Sequence, residues 1–109
     1  MKDDRLYLIH IKECIERIES YTGNADKRKF LDSTLLQDAV IRNLQVLAES
    51  TQCLSDEAKE SCQDIDWYKI AGFRNILVHD YLGLDLDTVW NIVANELPVL
   101  KKAVEEMLE

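Results

Sequence analysis

Helix breakers are nearly missing from this chain, and that limits its possible folds more than any other feature. Three glycines and one proline stand in 109 residues, so long stretches contain nothing that forces a turn. Within them, apolar residues recur every three or four positions. Leu8, Ile11, Ile15 and Ile18 form one row, with Cys14 alongside. Leu36, Val40, Leu44 and Leu47 form a second, with Ala39 beside them. Val89, Val93, Leu97, Leu100, Val104 and Met107 form a third. Rows at that spacing are the buried faces of amphipathic α-helices. With 47% hydrophobic residues, the chain can build a core. A single all-α domain over residues 1–109 is the expectation. A lone domain of this size buries a modest area, which leaves apolar surface for a second copy to cover.

Helix ends are marked by capping residues. Asp3 or Asp4 opens the first helix, and Gly23–Asn24 stops it. Asp32 or Ser33 caps the second. Ser55 caps a short polar helix from Asp56 to about Ser61. Asp66 precedes a helix from about Trp67 to His79, apolar nearly all round and therefore expected to be buried. Gly83 is its stop. Gly72 weakens that helix, and close packing of a neighbouring backbone is one explanation. Asp85 or Asp87 caps the last helix, which Pro98 should kink or restart. The basic run Lys27, Arg28, Lys29 reads as a solvated loop. The sum is an up-and-down bundle of four main helices plus a short one.

Thirteen Lys and Arg against 21 Asp and Glu give a net charge of −8. Nonspecific nucleic-acid binding draws on Lys and Arg contacts to phosphate, so this balance disfavours it while permitting a small local cleft. Three cysteines without a CxxC pair argue against a disulfide framework or a thiolate zinc site. The charged start MKDDRLYLIHIKE does not read as a signal peptide, and no apolar run reaches the ~20 residues of a membrane span. A cytoplasmic protein with no membrane segment is expected.

One segment breaks the pattern. IAGFRNILVHDY places Arg74, Asn75, His79, Asp80 and Tyr81 in an otherwise apolar run. Buried charge is costly unless paired, so the cluster is either a satisfied core network or a working site. At roughly 100° per residue, Asn75 and His79 share a helix face, and so do Arg74 and Tyr81. Arg74 and His79 lie roughly 140° apart. Either the helix unwinds near His79 or a second copy completes the site across a twofold axis. These residue types suit phosphodiester cleavage. A histidine passes protons near neutral pH, and an arginine holds phosphate and stabilises developing charge. RNA brings its own nucleophile in the 2′-hydroxyl, so neither metal nor cofactor is required in principle.

Other residues have plainer readings. Asn43, near the second stripe, is a core amide or a support for a polar site. Arg42 pairs with Asp38 one turn earlier or lines a cleft with the Trp67 helix. His10 belongs to the surface or core edge. Trp67 and Trp90 are core or dimer aromatics, and Tyr7, Tyr21 and Tyr68 packing residues.

RNILVHDY resembles the R-x4-H-x-Y motif of the HepT-like toxins of the HEPN superfamily, and a polar residue such as Asn75 directly after the arginine is typical of HEPN ribonucleases. The likeness extends to LQDAVIRNL, WYKIAGFRNILVHDY and LDLDTVWNIVANELPVLK, most of the chain. The resemblance implies a homodimeric HEPN-like bundle acting as a metal-independent endoribonuclease toxin of a type VII-like toxin–antitoxin system. It implies Arg74 and His79 as the catalytic pair and Asn75 as a supporting, substrate-binding residue. It also implies a partner, an MntA-type nucleotidyltransferase antitoxin that transfers AMP to Tyr81 and silences the toxin. Asp80 inherits no firm role. HEPN-like proteins also include inactive members, so the other readings are a non-catalytic helical partner of a nucleotidyltransferase and a plain structural bundle.

Overall fold

The computed structural model describes residues 2–79 and 85–109, with side chains described over 3–74 and 85–109. The elements are α1 (Lys2–Thr22), α2 (Lys27–Asp32), α3 (Thr34–Gln52), α4 (Asp56–Glu60), α5 (Trp67–His79) and α6 (Leu86–Asn91), then a π-helical turn (Ile92–Glu96) that runs into α7 (Leu97–Leu108). The described residues form only helices. α1, α3, α5 and the continuous α6–π–α7 rod are the four main ones, and α4 is the short polar one. The expected stop at Gly83 lies outside the described residues.

The apolar rows meet as expected. α1 packs against both α3 and α7, and α3 also packs against α5. Ile11, Cys14, Ile15 and Ile18 of α1 are fully buried, with Val40, Leu44 and Leu47 of α3 and Leu100 and Val104 of α7. Leu54 and Ile65 add to this core from the connection between α3 and α5.

Caps fix the helix starts. The Ser33 hydroxyl accepts from the Leu36 amide at 3.1 Å, and Ser55 accepts from Ala58 at 3.1 Å. Asp66 accepts from Lys69 at 3.0 Å, and Asp85 accepts from both Asp87 and Thr88. Each satisfies an amide that has no partner within its own helix. The first helix differs from expectation. It begins at Lys2 and carries Asp3 and Asp4 in its first turn, where the helix dipole favours them. Asp4 accepts from the Ser55 amide at 2.8 Å and from the Ser55 hydroxyl at 2.6 Å. It thus joins the start of α1 to the start of α4.

One further expectation needs correction. Lys27, Arg28 and Lys29 are not a loop but the first turns of α2, capped by Asp26, which accepts from Lys29 at 2.9 Å. Phe30 anchors this helix, fully buried and 5.4 Å from the Trp90 ring by centroid. Lys27 pairs with Asp87 of α6 at 2.9 Å. The last rod restarts beside Pro98 as expected, after a wide turn ahead of it in which the Leu97 amide reaches the Ile92 carbonyl. Proline offers no amide to the ladder and crowds the preceding turn. Widening that turn absorbs the conflict and moves Ile92, rather than Val93, into the core.

Among the described residues no packing explains Gly72, since a Cβ placed there meets no described atom within 4 Å beyond its own helix backbone.

Two outcomes follow. The Ser55 hydroxyl, then its amide, hold the Asp4 carboxyl below its ordinary pKa. The stabilisation is therefore full above the unfolded-state pKa of about 4 and fades as pH falls through the lower folded-state value. Asp4→Asn should lower the melting temperature at neutral pH, and the gap from wild type should close on acidification; thermal unfolding followed by circular dichroism across pH measures both. Phe73→Ala, at a side chain 2% exposed, should cost about 3–5 kcal/mol in urea unfolding.

Candidate active site on helix α5

The start of α5 is tightly fixed. The Trp67 indole donates to the carbonyls of Lys59 at 3.1 Å and Cys62 at 3.0 Å, which ties the helix to α4 and the turn after it. Ile70 and Phe73 are buried. Lys69 donates to Glu96 of the π turn at 2.6 Å, and that hydrogen bond and charge raise the lysine pKa. Up to Arg74, α5 is amphipathic rather than apolar all round. Tyr68 is 90% exposed, so it is not the packing residue expected, and Lys69 and Arg74 are exposed too.

Arg74 leans across to α3. Its Nε lies 3.4 Å from Glu49 Oε1, with side chains 48% and 58% exposed respectively. The two share an open depression of about 180 Å³ with Arg42, Gln45 and Val46. Arg42 therefore lines a cleft with Arg74, the second of its two sequence readings. The α3 residues stand at i, i+3, i+4 and i+7, a single strip beside the buried row of Val40, Leu44 and Leu47. Glu49 and Gln45 were not singled out from sequence. The signal available was that strip spacing, but which helix it faces is a tertiary fact.

The backbone of α5 stays helical through His79. Arg74 and His79 are thus separated by four residues of unbroken helix, roughly 140° around the axis. The helix holds up to His79, and the chain that follows lies outside the described residues. Asn75 and His79 occupy register positions that continue the row of Tyr68 and Gly72. Their side chains, Asp80 and the expected AMP acceptor Tyr81 lie outside the described residues.

The remaining candidates settle into structural roles. Asn43 is a satisfied core amide, donating to Ala39 at 2.9 Å. His10 is exposed on α1, and Tyr7 is half-buried. Trp90 packs on Phe30. Among the described residues, no group of three His, Cys, Asp or Glu side chains is placed to hold a metal ion, and no helix is long and apolar enough to cross a membrane. A separate depression of about 270 Å³ between α1, α4 and α7 is lined by none of Arg74, Asn75, His79 and Tyr81.

The family model described as ribonuclease HepT-like matches residues 11–107. A gamma-glutamylcyclotransferase and putative RNase of Methanocaldococcus jannaschii is 39% identical over 99% of this chain, which spans 49% of that relative. A putative RNase of Caldanaerobacter subterraneus is 34% identical over 100% of this chain and 97% of its own length. The mRNA nuclease HepT of Shewanella oneidensis is 30% identical over 87% of this chain and 88% of its own. No solved structure matches the chain significantly. A bundle whose described residues are helical and whose sequence is matched over nearly its whole length, with an exposed arginine on the helix that carries R-x4-H, belongs to the HepT-like ribonuclease family.

Proposed function

We propose that this chain is the toxin of a type VII-like toxin–antitoxin system, a metal-independent endoribonuclease that works as a homodimer. The observation that carries the reading is the exposed Arg74 guanidinium in its α3–α5 depression, on the same helix as His79 but far around the axis. A second copy solves the geometry. On the face of α5 marked by Tyr68 and Gly72, Tyr68 is 90% exposed and no described atom beyond the helix's own backbone lies within 4 Å of a Cβ at Gly72. Asn75 and His79 continue that row. A twofold contact along it brings the His79 of one copy toward the motif of the other.

In the proposed reaction, His79 accepts the proton of an RNA 2′-hydroxyl. The 2′-oxygen attacks the adjoining phosphorus, the bond from phosphorus to the 5′-oxygen breaks, and a proton returns to that leaving oxygen. The products are a 2′,3′-cyclic phosphate and a 5′-hydroxyl. Arg74 binds the phosphate and stabilises charge that builds on its oxygens. Asn75 supports substrate binding. Silencing follows the same chemistry. The Tyr81 phenol oxygen attacks the α-phosphorus of ATP in the active site of an MntA-type nucleotidyltransferase antitoxin, and pyrophosphate leaves. The AMP then sits two residues from His79 and offers its own phosphate to the arginine meant for RNA.

The test is cleavage of total cellular RNA in EDTA by wild type, His79→Ala and Arg74→Ala, with Tyr81 checked for added AMP by mass spectrometry. Wild type should cut. Each variant should lose about 10²-fold or more while keeping its melting temperature, since Arg74 is half-exposed and its ion pair is a surface one. Full activity in His79→Ala would remove that residue from the mechanism. A folded wild type that carries no AMP and cuts nothing would instead favour the non-catalytic partner of a nucleotidyltransferase.

A further inference from the structure

We propose that Arg42 is a second phosphate-binding residue, which with Arg74 makes the depression between α3 and α5 an anion site for the RNA backbone. This rests on the ribonuclease reading above and extends it to a residue outside the R-x4-H-x-Y motif. Arg42 and Arg74 come from different helices and line the same hollow of about 180 Å³, with Gln45 as a further hydrogen-bonding side chain. Two guanidinium groups beside one hollow repel each other unless an anion lies between them. Glu49 meets one of them, the Arg74 Nε, at 3.4 Å. A phosphodiester carries the single negative charge that balances the second.

The surroundings favour a small site over a broad basic surface. The chain carries a net charge of −8, so its field repels RNA as a whole. Asp38 stands one turn before Arg42 on the same strip of α3, and Glu49 closes the other end. Carboxylates at both ends confine attraction to the space between the two arginines. The planar fork of arginine matches a phosphate with paired, charge-assisted bonds. The Glu49–Arg74 contact is half-exposed and therefore weak, so an arriving phosphate can take the place of its carboxylate.

The probe is a short single-stranded RNA methylated at every 2′-oxygen, which binds but has no nucleophile to cut itself. Its affinity is measured over a salt series for wild type, Arg42→Ala, Arg42→Lys and, as a control that does not line the depression, Arg28→Ala. Arg42→Ala should weaken binding about tenfold and reduce the slope of log affinity against log salt by about 0.7. Arg42→Lys should keep the slope but not the full affinity. Arg28→Ala should match wild type. Unchanged affinity and slope in a folded Arg42→Ala protein overturns the proposal, as does a wild type that binds no probe. The ribonuclease reading is tested apart from this by cutting of unmodified RNA. Cutting with an indifferent Arg42 sinks only the second phosphate contact, whereas probe binding through Arg42 without cutting sinks only the nuclease.

Discussion

Helix α3 has to pack against α1 on one side and α5 on another, and the rest of the molecule is arranged around that double demand. Its row of Val40, Leu44 and Leu47 is fully buried, so its rotation about its own axis is fixed by close packing. Once that rotation is set, the strip of Arg42, Gln45, Val46 and Glu49 has no choice of direction. It lines the hollow beside α5 and meets Arg74 there. A polar site on a small bundle gains its precision this way, from apolar residues one or two positions along the same helices. Arg42, Glu49 and Arg74 stay exposed there, and the Arg74–Glu49 pair is a surface one.

The second helix of the site is held from its ends inward. Trp67 hangs the start of α5 on the carbonyls of Lys59 and Cys62, Asp66 caps it, and Lys69 reaches the π turn at Glu96. That turn exists because of Pro98, and it also sets the register of the last rod against the core. Ile92 and Leu97 are both buried, five residues apart, where an ordinary helix would bury neighbours three or four apart. A single proline thus influences both the seating of α7 on α1 and the acidic group that Lys69 of α5 meets.

Much of this was legible in the sequence because it is local. Ser33, Ser55, Asp66 and Asp85 cap the helices they precede, and the rows of α1 and α3 are the core. What was missed depends on partners or on departures from regular geometry. α2 is six residues long, too short to show a period, and its anchor Phe30 is meaningful only against Trp90. The π turn is invisible to any reading that advances 100° per residue. α5 looked buried all round because its composition is apolar, yet Tyr68 and Gly72 face away from the described packing. Glu49 is an ordinary surface glutamate until α5 is laid beside it. The candidate site was therefore readable as a motif, while its setting was not.

The unbroken course of α5 changes what the motif means. Arginine and histidine five apart on a helix cannot converge within one copy without backbone distortion, and the backbone is helical through His79. The two motif positions therefore stand on different faces of α5. One face carries Arg74 toward α3, where buried neighbours fix it. The other carries the row of Tyr68, Gly72, Asn75 and His79, and its described members are open. A glycine on that open row removes the side chain that would keep another backbone at a distance. Its cost to helix stability has no counterpart in contacts among the described residues.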